Sequence, residues 1–342
     1  MPHQQSPTPA ILVIGPSWVG DMVMAQSLFK LLKQRLPECQ IDVVAPGWSL
    51  PIIQRIPEIR EAHVLNVGHG EGGLKKRYQL GKQLRGKNYS QAIVLPRSFK
   101  SALVPFFANI PQRTGFKGEF RYGLLNDIRP FDKKYLDQTV KRFSYLGLGH
   151  SSDELEVFQP GLDVDKENAQ RCMEGLGLDS EKYTVALLPG AEYGPAKQWP
   201  ASHFADLIRR IEQAGAQAWI IGSAKDGPLA QEIVTRAGGA GINLCGNTQI
   251  ADAVDLIAQA DVTVTNDSGL MHIAAAVGTR VIAIYGSSSP EYTPPLTNDA
   301  SINWLQLDCS PCFQRQCKFG HYNCLNNISA ETIFPQLEII PK

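Results

Sequence analysis

A two-domain α/β protein, each domain a parallel sheet covered by helices, is what three features of the sequence predict. Strand-like β-branched runs alternate with helix-like runs along most of the chain, which implies parallel strands joined by right-handed crossovers. At 342 residues, 43% hydrophobic and 19% charged, the chain is long for one core and fits two. The net charge of zero is also unevenly divided. Residues 1–155 hold 21 Lys+Arg and 12 Asp+Glu, a balance of +9, which leaves 12 and 21, or −9, for residues 156–342. A basic half either steers toward an anionic partner or is simply a solvated face. Domains are expected at 10–155 and 156–328, between a disordered tail at 1–9 and a C-terminal helix at 329–342 that packs near the domain boundary. No apolar run approaches the roughly 20 residues that span a bilayer, and Met1–Pro9 lacks signal-peptide features, so a cytoplasmic chain is expected.

The first domain opens with a strand at 11–14, the turn GPSWVGD at 15–21 and a helix from about 22 to 36. Gly15 and Gly20 do not make a G-x-G-x-x-G fingerprint, so dinucleotide binding is not indicated. Asp21 falls at the carboxyl end of the first strand, where open α/β sheets place ligands and catalytic groups. Helix capping is the plainer role for it. Strands follow at 41–45, 63–65 and 91–95, with helices at 50–56 and 74–85 between them. The stretch RSFKSALVPFFANIPQRTGFKGEFRYGLL then interleaves Arg97, Lys100, Arg113, Lys117 and Arg121 with Phe99, Phe106, Phe107, Phe116, Phe120 and Tyr122. That mixture suits a sugar-phosphate or lipid-headgroup surface, and a core helix at 98–108 followed by a solvated loop accounts for it equally. The neutral chain and the lack of a nucleic-acid module argue against nucleic acid.

A linker is expected over about 150–182, including a charged helix at 166–176. The second series opens with a strand at 183–188, the loop PGAEYGPAKQWP at 189–200 and a helix at 202–214. A strand at 218–221 leads into GSAKD at 222–226 and another helix. After a short connection at 244–248 and a helix at 250–260 comes DVTVTNDSGLMHIAAA, at 261–276. It reads as a strand, a turn of Asn266, Asp267, Ser268 and Gly269, and a small-residue helix whose unpaired first N–H groups favour a phosphate or diphosphate. An ordinary capped strand-to-helix connection would look the same. A strand at 280–285 closes the unit. Three strand ends, at Pro189, Gly222 and Asn266, thus bring turn-rich loops to one sheet edge. Two Rossmann-like halves facing each other across a cleft form the GT-B arrangement, with one domain for a nucleotide donor and one for an acceptor.

The segments GPSWVGDMVMAQSL, LPRSFKSALVPFFANIPQRTGFKGEFRYGLLND, PGAEYGPAKQWP, GSAKD and TNDSGLMHIAAA, followed by YGSSSPEYTPPL, resemble the ADP-heptose:lipopolysaccharide heptosyltransferases of glycosyltransferase family 9. The resemblance is collinear from about 11 to 296. It implies an inverting enzyme that moves L-glycero-D-manno-heptose from ADP-heptose onto an inner-core heptose of nascent lipopolysaccharide, working at the inner face of the cytoplasmic membrane. Asp21 matches the family's proposed base, Lys197 its motif lysine beside the leaving diphosphate, and Asp267 its donor-site aspartate. The donor site is expected to include Gly190, Ala191, Glu192, Gly222, Ser223, Thr248, Ser268, Gly269, Leu270 and His272. Acceptor binding is expected from Ser17, Trp18, Arg97, Lys100, Arg113, Lys117 and Arg121.

No cofactor is expected, because a lysine and a helix N-terminus can stabilise the departing diphosphate electrostatically. The cleft loops carry no D-x-D pair, and Asp163 and Asp165 lie in the linker. Turnover in chelator is the corresponding expectation. Cys309, Cys312, Cys317 and Cys324 form a C-x2-C-x4-C-x6-C array with His321 inside it. A metal or cluster site, reduced structural thiols and a redox-sensitive disulfide all fit that spacing. Rival functions are transfer to a different acceptor, a GT-B nucleotide-sugar 2-epimerase, which leaves the basic-aromatic segment unexplained, and a non-catalytic lipid-headgroup binder, which leaves Asp21 and Lys197 idle.

Overall fold

The computed structural model describes residues 9–68, 71–149 and 154–340. The expected tail at 1–8 and the start of the linker at 150–153 lie outside them. The chain forms two compact units that divide between Pro160 and Gly161, a little beyond the expected boundary at 155.

In the first unit the apolar run AILVI makes β1 (Ala10–Ile14), with every residue buried, as a strand covered on both faces requires. It feeds α1 (Val19–Arg35), then β2 (Gln40–Ala45), α2 (Leu50–Ile53), β3 (Ile59–Val64), α3 (Leu74–Leu84) and β4 (Gln91–Val94). Beyond β4 come α4 (Leu103–Phe107), β5 (Gln112–Phe116), β6 (Asp127–Arg129) and α5 (Thr139–Tyr145). β5 falls where a solvated loop was expected, and β6 and α5 fall where no element was expected. The all-parallel sheet runs β3-β2-β1-β4-β5-β6. Strand order therefore reverses between β1 and β4, and both of their carboxyl ends open onto that switch point. The expected core helix at 98–108 is a 3-10 turn at Phe99–Ala102 running into the short α4.

The second unit begins with α6 (Lys166–Leu176), capped by the Asp165 carboxylate, which accepts from the Asn168 amide at 2.9 Å. Then follow β7 (Thr184–Leu188), α7 (Ala201–Gln213), β8 (Gln217–Ile220), α8 (Gly227–Arg236), β9 (Ile242–Asn243) and α9 (Ile250–Ile257). Next are β10 (Val262–Asn266), α10 (Gly269–Ala276), β11 (Arg280–Tyr285) and β12 (Ala300–Trp304), and the chain ends with α11 (Asn323–Asn326) and α12 (Ala330–Ile333). The parallel order is β12-β11-β10-β7-β8-β9, so the switch point lies between β10 and β7. β7 and β10 are wholly buried. The expected long C-terminal helix stops at Ile333 because a 3-10 turn containing Pro335 replaces it. Ala330, Ile333 and Leu337 sit in the same apolar core as Trp199, Phe204 and Ile208, so this segment belongs to the packing of the second unit.

Candidate functional site

At the β10–β7 switch point a lysine meets an aspartate. Lys197, in the loop after β7, places Nζ 2.5 Å from Oδ2 of Asp267, which follows β10 directly. The aspartate is buried and the lysine only partly exposed, and the ammonium also sits 5.1 Å from the Tyr193 ring centroid. A buried asparagine builds this geometry. Asn266 donates from Nδ2 to the Pro189 carbonyl at 2.8 Å and accepts the Trp199 amide at Oδ1 at 3.0 Å, which ties both ends of the Lys197 loop to β10. In the sequence Asn266 reads only as a turn former, and the fold adds that an amide with a donor and an acceptor can lace two loops together.

Beside this pair α10 begins, with its first N–H groups unpaired by the helix. The hydroxyls of Ser268, Ser287 and Ser288 are buried and have no hydrogen-bond partner. Orphaned buried hydroxyls point to a bound group, since each otherwise carries a desolvation cost. Ser287 and Ser288 follow β11 and were not among the expected site residues, although the turn GSSSP carried the signal. Gly190 and Gly222 bring the β7 and β8 loops against Asp226: a Cβ at either would lie 3.0 Å from its carboxylate. That carboxylate accepts the Ser223 amide at 2.8 Å and its hydroxyl at 2.7 Å. Glu192 pairs with Lys225 at 3.2 Å on an exposed face, and the Thr248 hydroxyl donates to the Leu244 carbonyl at 3.4 Å. His272, one turn into α10, is buried. Burial lowers its pKa to about 4, with Lys197 adding to the effect and Asp267 opposing it. It therefore offers a neutral N–H near pH 7, without charge.

In the first unit Asp21 lies in the first turn of α1, three residues past the N-cap Trp18, at the carboxyl end of β1. The N-cap position itself is thus filled by Trp18, whose side chain caps nothing. Ser17 and Trp18 are exposed, and the Ser17 carbonyl accepts from Trp48 Nε1 at 3.1 Å. After β4, at the same switch point, comes Arg97. With Lys117, Gly118, Arg129, Pro130, Phe131 and Ile128 it lines an open cavity of about 600 Å³. The Arg97 guanidinium stacks 4.7 Å from the Phe131 ring centroid, and Arg142 approaches the same ring at 5.2 Å. Arg129 was not among the expected ligands, because the three polar-flanked residues DIR carry no strand signal in the sequence.

Two of the expected acceptor ligands donate to carbonyls within the protein. Arg121 is buried, and its guanidinium donates to the carbonyls of Pro96, at 2.6 Å, and Phe116. Burial lowers its pKa to about 10, which still leaves it charged near pH 7. Arg113 spends its donors on the carbonyls of Leu124 and Ile110, both at 2.6 Å. Both fasten the loop segments around β5 through these carbonyls. Lys100 donates to the Glu71 carbonyl at 3.1 Å.

Cys309, Cys312, Cys317 and Cys324 are unbridged and line one small cavity with Ala196, Ser287 and His321. Among the described residues the one trio of ligand-type groups within 4.8 Å is Asp42, Glu61 and His63. It is committed elsewhere: Asp42 accepts from Arg60 Nε at 2.9 Å and Tyr89 Oη at 2.5 Å, and His63 reaches Tyr89 at 2.9 Å. Burial opposes ionisation of Asp42, yet the bonds from His63, Arg60 and Tyr89 prevail and hold it well below the usual carboxylate range.

Two doubly wound units, one with a cation and helix terminus suited to a diphosphate and the other with a basic cavity, define a glycosyltransferase of the GT-B class. Residues 77–323 match the family model "Glycosyltransferase family 9 (heptosyltransferase)", and the chain belongs to that family. It is 43% identical to lipopolysaccharide heptosyltransferase 2 of Escherichia coli K12 over 340 residues, 96% of this chain and 98% of that one. Against lipooligosaccharide heptosyltransferase 2 of Haemophilus influenzae it is 46% identical over 304 residues, 85% and 87% of the two chains. The solved structure of E. coli ADP-heptose lipopolysaccharide heptosyltransferase II is similar at a TM-score of 0.86 and 41% identity, covering 96% of this chain and 97% of that one. The chain is therefore a heptosyl-transferring enzyme of lipopolysaccharide core synthesis, and these relatives do not favour the epimerase alternative.

Proposed function

We propose that the protein moves L-glycero-D-manno-heptose from ADP-heptose to the first heptose of heptosyl-Kdo2-lipid A, with inversion at the anomeric carbon. Asp21 takes the proton from the acceptor hydroxyl as its oxygen attacks that carbon. The bond from the anomeric carbon to the diphosphate breaks, and ADP leaves with the electron pair. Lys197 and the first amides of α10, at Gly269 and Leu270, meet the charge developing on the phosphates, with Asp267 holding the lysine in place. No metal or other cofactor takes part in the transfer.

The observation that carries the reading is the Lys197–Asp267 pair, its aspartate buried, beside α10 and among the unpartnered hydroxyls of Ser268, Ser287 and Ser288. Such a set matches a diphosphate leaving group. The cavity of Arg97, Lys117 and Arg129 supports an anionic acceptor, whose phosphates and carboxylates a basic wall would hold. Among the described residues no helix is long and apolar enough to cross a membrane, and the reading gives the protein a peripheral place at the inner face of the cytoplasmic membrane, where that acceptor is made.

The test is ADP release with ADP-heptose in the presence and absence of heptosyl-Kdo2-lipid A, run in EDTA as well as in plain buffer. Acceptor-dependent release in both buffers is expected, and release without acceptor would remove the transferase reading. In the same assay Asp21→Asn should keep donor affinity and lose about 10²-fold or more in turnover. Near-normal turnover would remove Asp21 as the base.

A further inference from the structure

Between the end of β12 at Trp304 and the start of α11 at Asn323 the chain forms neither helix nor strand. Of its side chains only Ser310 is buried, while Phe313 and Phe319 stand 48% and 59% exposed. An irregular segment of this length is uncommon in a compact domain, and apolar burial holds this one mainly through the partly buried Leu307. Three cysteines, Cys309, Cys312 and Cys317, lie in it, and Cys324 follows in α11. All four border a single cavity of about 20 Å³, room for one water or one ion. The backbone bends around them, with Gly320 and Tyr322 at left-handed φ values of 75° and 50° and the Gly320 amide donating to the Cys317 carbonyl at 3.1 Å. His321 is occupied, with Nδ1 accepting from the Asn323 amide at 3.0 Å.

This segment backs the loop that carries Lys197. The Ala196 amide donates to the Arg315 carbonyl at 3.1 Å, the Phe313 amide to Ser287 at 2.7 Å, and Tyr193 Oη to the Phe313 carbonyl at 2.6 Å. Gly194 permits the approach, since a Cβ there would lie 2.6 Å from the Arg315 carbonyl oxygen.

We propose that Cys309, Cys312, Cys317 and Cys324 bind one thiophilic divalent ion, Zn²⁺ or Fe²⁺, as a structural site that fastens residues 305–324 and, through them, the Lys197 loop. Four thiolates around a tetrahedral ion suit either metal. No three of the sulfurs lie mutually within 4.8 Å, so binding draws the exposed loop inward. The thiols give up their protons to solvent, and no electrons move. The metal site stands apart from the transferase reading, and only its effect on Lys197 rests on that reading.

The test begins with full-length protein purified under reducing conditions without chelator. Elemental analysis should find about one zinc or iron per chain. A mercurial that caps thiols should release it in proportion, and cobalt substitution should give the intense thiolate absorption of a tetrahedral site. Cys309→Ser/Cys312→Ser should lose the metal and become several-fold more sensitive to trypsin at exposed Arg315 and Lys318, while Cys172→Ser keeps both properties. Should the double variant fail to fold, the wild-type metal content and cobalt spectrum decide alone. Reduced wild-type protein that holds no metal and takes up neither Zn²⁺ nor Co²⁺ would overturn the proposal. Loss of heptosyl transfer with the metal retained would count only against the function assigned to Asp21 and Lys197.

Discussion

His272 carries a prediction about pH. Its imidazole is buried beside Lys197 and Asp267 and titrates at about 4 in the folded chain, chiefly because burial penalises the charged form. An unfolded histidine titrates near 6.5. Below that pH the unfolded chain takes up a proton that the folded chain refuses, so this contribution is fully present above about pH 6.5 and is lost as pH falls toward 4. The full loss is on the order of 3 kcal/mol. Melting temperatures from pH 7.5 to 4.5 should fall more steeply for the wild type than for His272→Gln, and parallel curves would refute the assignment. The same position shows what the sequence could tell at this scale. The pattern NDSGLMH marked an anion-binding turn, but neutrality at His272 follows from packing that no local pattern displays. Arg121 makes the complementary point. It looked like a ligand because it sits among aromatics, yet both of its terminal nitrogens donate to carbonyls of a loop whose path only the fold determines.

Among the elements, fully buried strands were the most legible, since runs such as AILVI and VTVTN bury every residue. β5, β6 and β12 were missed for a physical reason. QRTGF, DIR and ASINW are polar or glycine-containing, and they become strands by pairing with neighbours already in the sheet. Missing β6 also hid Arg129. Helix packing carries a further prediction. α3 crosses α4 at Gly81, where a Cβ would lie 2.6 Å from the Phe107 Cβ and 2.9 Å from the Val104 carbonyl oxygen. Neither atom is the end of a flexible side chain, so Gly81→Ala must part the helices, at about 1–3 kcal/mol. Gly86→Ala, with nothing within 4 Å of its Cβ, should be close to neutral. Denaturant midpoints for the two variants compare them directly, and equal midpoints would show that the helix contact yields without cost.

At the scale of the whole molecule the charge division becomes a statement about where the enzyme works. The excess of +9 in residues 1–155 accompanies apolar groups that the fold leaves in solvent: Phe120 is 87% exposed, Tyr122 59% and Phe99 45%. Lys117 lies 5.7 Å from the Tyr122 ring centroid. Aromatic tips among lysines suit an anionic membrane surface, where rings enter the headgroup region and each nearby cation contributes about 1 kcal/mol. The two contributions separate experimentally, because salt screens charges over a Debye length of about 10 Å at 0.1 M but leaves apolar insertion largely intact. Co-sedimentation should therefore capture the protein on vesicles rich in phosphatidylglycerol, weakly on phosphatidylcholine alone, and progressively less as salt rises to about 0.5 M. Phe120→Ala/Tyr122→Ala should weaken capture at every salt concentration and leave turnover on a detergent-dispersed acceptor unchanged. Equal capture on neutral and anionic vesicles would exclude the electrostatic grip, and an unaltered double variant would exclude the aromatic one.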